Sequence, residues 1–404
     1  MIDLGLMTDL TIDPDSETVR FGPGGRWADI YSALAPYDRI IPGGREGQVG
    51  VAGLILGGGK TFLTGRRGFA CDNVLEFEVV LADGSIVKSN KDEHADLFRA
   101  LKGGSNNFGI VTSFKMAMVE NRRIWGGITV YSKEHLPAAI EATHDFTANA
   151  ASHPDENLVV LISHNPNFED TVICTLSKRS EAKRMLTNCT TFASLDASMT
   201  GTERAPAYKK WLAIPEITTN VKMTKTAEMI AVNNTPGNYH AIWFTLTFKN
   251  DTRIMTKAAE THDTLVQDLK TIVPDGNMLS QCIFQPLPKL YAEKSAEAGG
   301  NVLGLERQKE DGVLLLALVE VPTADQRAAA YPKVKAWIEE VRTFASTLGG
   351  AQDWLYMNYA DPGQEVLGSY GVENVNFMKK VAAKYDPEGV FQTLCPGGFK
   401  ISDV

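Results

Sequence analysis

The chain has 404 residues, 44% of them hydrophobic and 22% charged. That composition is ordinary for globular proteins, argues against disordered and fibrous classes and, at this length, favours two domains. A net charge of −9 leaves no basic face to neutralise phosphates, which argues against nucleic acid and anionic membrane as partners.

The cysteines Cys71, Cys174, Cys189, Cys282 and Cys395 form no CxxC or CxxH pair, and the histidines show no metal spacing. Neither a disulfide framework nor a metal site is expected. The chain contains no apolar run long enough to span a bilayer, and Met1-Ile-Asp-Leu-Gly lacks the basic, apolar and small-residue order of a secretion signal. The expectation is a protein that is not exported, cytoplasmic by default.

In chain order, residues 2–4 read as a strand, followed by strands over 10–13 and 18–21. Trp27, Ile30, Tyr31 and Leu34 repeat at helical spacing, and Pro36 stops that helix. Residues 42–59 then carry eight glycines among apolar neighbours. Such a stretch can be buried and still let its backbone approach a ligand; the alternative is a glycine-rich turn packed on a sheet.

Two phosphate motifs fail here. A P-loop ending in Gly59-Lys60-Thr61 needs a glycine where Leu54 stands, and a Rossmann fingerprint from Gly57 needs one where Phe62 stands. Downstream, Leu75, Phe77, Val79 and Leu81 alternate as a half-buried strand that turns at Asp83-Gly84 into a hairpin. A short helix from Asp92 ends at Gly103-Gly104, and residues 108–119 resume as strand. Asp72 and Asn73 read as turn-capping residues rather than catalytic ones.

Composition changes near 120–123, where a domain boundary is placed. Beyond it, residues 128–130, 158–163, 171–176, 240–248, 279–285 and 313–321 read as one antiparallel sheet. Helices fill the gaps at 133–149, 180–187, 205–211, 252–269 and 324–348, the last with an apolar stripe of Val334, Trp337, Ile338, Val341 and Phe344. A final helix places Val375, Met378, Ala382 and Tyr385 on one side before Asp386-Pro387.

The order of short motifs carries a resemblance. Gly68-Phe-Ala-Cys-Asp-Asn-Val74, Val80-Leu-Ala-Asp-Gly84, Gly103-Gly-Ser-Asn-Asn-Phe-Gly-Ile-Val111, Tyr356-Met-Asn-Tyr359 and Phe391-Gln-Thr-Leu-Cys-Pro-Gly-Gly-Phe-Lys400 together resemble the FAD-linked oxidases related to berberine bridge enzyme, with a tail most like fungal members. The resemblance covers nearly the whole chain. It implies an α+β fold with a partial PCMH-type FAD-binding domain over 1–120, a substrate domain over 121–350 with an antiparallel sheet covered by helices, and a segment 351–404 returning to the first. It also implies a flavoprotein oxidoreductase that moves a hydride from a small organic substrate to flavin, with molecular oxygen as second substrate, in secondary metabolism.

The same resemblance assigns the cofactor site. Gly50, Val51, Gly53, Gly57 and Gly58 are expected at the pyrophosphate and ring, Gly109 and Ile110 on the adenosine side, and Asn358 against the cofactor. Tyr359 is the expected base and Tyr356 a substrate contact. Because an unperturbed phenol has a pKa near ~10, Tyr359 needs cationic or hydrogen-bonding neighbours to serve. Some relatives draw a catalytic acid from the strand ending at Glu320, at a position that is aliphatic here, so Glu320 is not given that role.

Complete members precede this sequence with a Gly-Gly-His loop that attaches the flavin, and some attach it a second time through a cysteine where Glu46 stands here. The expectation is therefore FAD held non-covalently, with a further chain supplying the flavin subdomain as one arrangement. The alternative is a non-redox cyclase or an inactive binding protein on the same scaffold.

Overall fold

The computed structural model describes residues 2–165, 191–231 and 239–404. The expected strand over 171–176 and helix over 180–187 lie outside the described residues. Among those described, no helix is long and apolar enough to cross a membrane and no group of three His, Cys, Asp or Glu could hold a metal ion.

The first sheet has five antiparallel strands in the spatial order Leu10–Asp13, Thr18–Phe21, Ile110–Ala117, Val74–Val80 and Ile86–Asn90. The strand expected over 2–4 does not form; residues 2–9 are irregular, and Ile2 and Leu6 stay exposed. Two apolar residues flanking Asp3, with no ladder partner, gain too little to fix a strand. The alternation read from Leu75 also starts in the wrong place. A register shift between Val74 and Glu76 turns Val74 inward and leaves Leu75 exposed, as an extra residue in a ladder does. Behind the sheet, Phe114 stacks on Phe21 at 5.6 Å and meets Phe77 edge-on at 5.7 Å.

Among the described residues the second sheet has nine strands. Its path runs Glu216–Thr219, Arg123–Ser132, Thr191–Ser198, Glu156–His164, Leu279–Leu287, Gly312–Val321, His240–Lys249 and Ala351–Gln352, with Lys222–Lys225 also paired to Arg123–Ser132. The strand Thr191–Ser198 was not expected from the sequence. Residues 205–211 form two short 3-10 turns, Pro206–Tyr208 and Trp211–Ala213, instead of the expected helix. Helices Leu136–Ala148, Thr252–Ile272 and Ala324–Thr347 cover one face. The last begins with a reciprocal cap, Gln326 N donating to Thr323 Oγ1 and Thr323 N donating to Gln326 Oε1, each at 3.2 Å.

The two sheets are stitched by two stretches of chain, the first assigned by sequence to the second domain and the other expected to return to the first. Residues 287–305 and the tail from Trp354 join the core of the first sheet. Asp72 anchors the former: Oδ2 accepts from Phe69 N at 2.8 Å and Ser295 Oγ at 2.6 Å, and Oδ1 accepts from Asn301 Nδ2 at 2.9 Å. Burial raises the Asp72 pKa in spite of these bonds. Asn73 caps its own turn, donating to the carbonyls of Arg67 and Phe69.

A second seam joins Glu156–His164 to the loop after the glycines. Asn157 Nδ2 donates to Phe62 O at 2.7 Å, and Arg66 pairs with Asp155. Beside them, burial pushes the Glu156 carboxyl up from 4.5 to about 7, with Asp155 adding to the shift. A folded-state pKa above the unfolded one means that the folded chain binds the extra proton, so this contribution is complete below about 4.5 and is lost as pH rises through about 7. Urea unfolding across that window is expected to show stability falling with pH, and Glu156→Gln to flatten the slope; an unchanged slope would assign the effect elsewhere.

Candidate functional site

The glycine-rich stretch folds as a ledge. Gly43 and Gly44 lie flat on the Trp27 indole, where a Cβ would come within 2.0 and 2.4 Å of ring atoms. Tyr31, whose pKa burial pushes up, donates from its hydroxyl to Gly44 O at 3.2 Å. The chain then enters a short helix, Val51–Leu56, which the glycine content hid from sequence patterning. Val51 and Ile55, one turn apart, are fully buried and hold the helix down. Gly53 is on its outer face, with nothing within 4 Å of where a Cβ would sit.

The helix ends at Gly57, and Gly58 and Gly59 take φ of +110 and +87, values costly for any residue with a Cβ. A Cβ on Gly57 would fall 1.9 Å from Asn358 Oδ1, so the ledge and the tail segment meet in direct contact. Asn358 Nδ2 donates to Leu54 O at 3.0 Å and to the Tyr356 hydroxyl at 3.2 Å.

Tyr356 is 1% exposed. Its hydroxyl accepts from Gly59 N at 3.1 Å and Lys60 N at 2.7 Å, so it fastens the glycine turn from beneath. Burial first, and Tyr359 second, raise its pKa. Tyr359 is half-buried and stands edge-on to the Tyr356 ring at 4.9 Å. Its hydroxyl accepts from Arg45 Nη2 at 3.0 Å and Gln285 Nε2 at 3.1 Å, while Arg45 Nη2 also donates to Gln285 Oε1 at 2.8 Å.

Arg45 and Gln285 were not singled out in the sequence. The available signals were a cation inside the glycine stretch and a polar residue on a strand whose neighbours are apolar. Lys60 completes the group: its Nζ donates to Pro286 O at 2.9 Å and lies 5.3 Å from the centre of the Tyr291 ring. Burial, then the nearby Arg45 charge, hold the Lys60 pKa well below the ordinary lysine range.

Facing this group is the sheet surface not covered by helices. Strand alternation puts Val159 and Leu161, Ile283, Leu316 and Trp243 together there, and Tyr359 packs against them. The result is an apolar wall with a hydrogen-bonded phenol at its margin.

Gly109 and Ile110 lie away from that wall, at the start of the strand Ile110–Ala117. A Cβ on Gly109 would fall 2.5 Å from Val79 Cγ1, so strand packing alone requires glycine there. The adjacent loop is tied to the tail: Asn107 Nδ2 donates to Phe399 O at 2.9 Å, and Asn106 Nδ2 to Gly397 O at 3.0 Å.

Residues 1–90 match the family described as an FAD binding domain. The FAD-dependent monooxygenase drtC of Aspergillus calidoustus is 34% identical over 404 residues, covering 100% of this chain and 73% of that protein. The FAD-dependent monooxygenase sdcF of Emericella nidulans is 33% identical over 401 residues, covering 99% of this chain and 80% of its own length. Among solved structures, 6-hydroxy-D-nicotine oxidase from Arthrobacter nicotinovorans superposes with a TM-score of 0.75 at 21% identity, covering 96% of this chain and 80% of that one. Berberine bridge enzyme from Eschscholzia californica gives 0.71 at 15% identity, covering 97% and 79%. The structural likenesses establish the α+β fold expected from the motifs, and the sequence relatives establish FAD as cofactor: the chain belongs to the family of fungal FAD-dependent monooxygenases and is an FAD-dependent oxidoreductase.

Proposed function

We propose that the protein oxidises a small organic substrate at the margin of the apolar wall, with Tyr359 as the proton-accepting residue. The observation that carries this reading is the Tyr359 hydroxyl, held by a guanidinium and an amide donor beside an apolar surface. FAD, when bound, would supply the hydride acceptor, with molecular oxygen as the second substrate.

The residues of the ledge fit that cofactor. Gly53 opens outward with no side chain near it, and the first-turn N–H groups of Ala52 and Gly53 have no intrahelical acceptor, so they can meet a diphosphate. The exposed Arg26 places Nη1 3.1 Å from where a Cβ on Gly50 would sit, a cation at the same edge. Gly50, Val51, Gly53, Gly57 and Gly58 are assigned to hold the pyrophosphate and ring, Gly109 and Ile110 the adenosine side, and Asn358 the ring edge. The ledge offers Glu46 where a cysteine would be needed for a covalent bond to the flavin from this side, and non-covalent attachment is proposed.

Tyr359 then acts through its own surroundings. Arg45 and Gln285 occupy its oxygen as donors, fix the ring against Tyr356 and offset the negative charge of the phenolate form that takes the substrate proton. Tyr356, expected as a substrate contact, is 1% exposed with its hydroxyl taken by Gly59 N and Lys60 N, and is assigned instead to position the ledge and Tyr359. The apolar wall excludes water and orients the substrate carbon. Overall the substrate gives up a hydride and a proton, and a C–O or C–N single bond becomes a double bond.

The relatives' names favour a second reading, in which an oxygen atom enters the product. Labelled oxygen separates the two: oxidation without incorporation yields one hydrogen peroxide per product and no label in it. Label in the product would overturn the oxidase reading.

The cofactor assignment has its own test. Arg26→Ala is expected to weaken FAD binding about tenfold, the loss of one charge-assisted contact, in equilibrium titrations followed by flavin fluorescence. Acid precipitation is expected to release all flavin into the supernatant; flavin remaining in the pellet would refute non-covalent attachment.

A further inference from the structure

Glu320 lies on the strand Gly312–Val321 at the same parity as Leu316 and Leu318, because Val319 and Val321 turn into the helix-covered core. It therefore belongs to the face that carries the apolar wall. It is 5% exposed, and its cross-strand neighbours are Ala241 and Leu279, which offer no side-chain donor. Burial is the single influence on its carboxyl, whose pKa it raises, and no hydrogen bond or ion pair reaches it from the described residues. Leu318, Trp243 and Gln281 share its face, and a carboxyl so placed is costly unless water or a ligand supplies a partner.

The register measures how far this group lies from the Tyr359 end. Gln285 pairs with Leu314, and Glu320 lies six positions beyond Leu314, about 20 Å at the antiparallel rise. Ile283, Leu316, Trp243 and Leu318 occupy the interval. The polar pair within it is closed on itself, Gln281 Nε2 donating to Ser163 Oγ at 2.8 Å. The face thus runs from a hydrogen-bonded phenol, across an aliphatic and aromatic strip, to one unpartnered carboxyl.

We propose that Glu320 determines specificity by receiving a protonated basic nitrogen at the far end of an elongated, mostly apolar substrate whose oxidised carbon lies at Tyr359. A neutral donor would be met as well by an amide side chain, without the cost of burying an ionisable group; a cation is what a carboxylate serves better. The proposal rests on Tyr359 marking the reacting end.

The test is calorimetric binding of n-decylamine and n-decanol, at micromolar concentrations and neutral pH, to the FAD-loaded protein. The amine is expected to bind at least tenfold more tightly than the alcohol. Glu320→Gln, which keeps the side-chain size, is expected to abolish that preference, and Glu320→Leu to reverse it towards decanol. Equal binding of the two probes by the unmodified protein, or a preference retained in Glu320→Gln, would overturn the proposal. Tyr359→Phe is expected to keep the amine preference, so failure of the catalytic reading and failure of this one show in different measurements.

Discussion

Replacing Tyr359 with phenylalanine is expected to slow anaerobic reduction of the bound flavin by about 10² to 10⁴, the range that positioned proton transfer contributes, while leaving FAD affinity unchanged. The variant keeps the ring edge-on to Tyr356 at 4.9 Å and 6.1 Å from Trp243, so packing survives. It removes the oxygen that accepts from Arg45 and Gln285; those two retain their own bond at 2.8 Å, while Gln285 Nε2 loses its acceptor, a stability cost of about 1–3 kcal/mol. Urea unfolding measures that structural cost, and stopped-flow absorbance at the flavin band reads the chemical loss separately. Arg45→Met is expected to give an intermediate rate, because the phenol remains without its cation. Reduction at the unmodified rate in Tyr359→Phe would show that another group takes the proton.

Asp72→Ala is expected to destabilise the fold by about 3 kcal/mol, since it strips the acceptor from Phe69 N, Ser295 Oγ and Asn301 Nδ2 inside the protein and each stranded donor costs about 1–3 kcal/mol. Ser295 can turn its hydroxyl elsewhere, which keeps the figure below the full sum. Because Asp72 is the anchor for the crossing segment that contains Leu290–Glu297, loosening is expected there first. Urea unfolding measures the global term, and limited proteolysis shows whether cleavage begins between residues 290 and 307. Ser295→Ala, which removes one donor and leaves the rest, is expected to cost about 1 kcal/mol. A similar loss for both variants would mean that the Asp72 carboxyl is not the anchor.

Much of the architecture was legible in the chain. The helix with Trp27, Ile30, Tyr31 and Leu34 inward forms over Trp27–Leu34, and the stripe of Val334, Trp337, Ile338 and Val341 packs on the second sheet. Both rest on a single period of apolar residues over several turns, which only one backbone conformation satisfies. The hairpin at Asp83-Gly84 was legible for a similar local reason: Gly84 takes φ of +82, which a tight turn requires.

The misses share a cause as well. Residues 2–4 looked like a strand because apolar residues alternate there, yet strand formation depends on a partner that three residues do not specify. Val51–Leu56 was hidden because glycine weighs against a helix, whereas Val51 and Ile55 hold this one by burial.

What the amino-acid sequence determined by itself is the set of local conformations, the glycine ledge with its bare backbone, the Tyr356-Met-Asn-Tyr359 segment, and through their order the family and its cofactor. What only the tertiary structure decided is which groups surround each of them. Arg45, Gln285 and Tyr359 lie hundreds of residues apart or on separate segments, and converge because the ledge, the strand Leu279–Leu287 and the tail meet at one corner. Local patterning records a residue's own burial and backbone preference. It carries no term for the distance between side chains on different elements, and that distance is what turns a buried glutamine, an arginine and a phenol into a site.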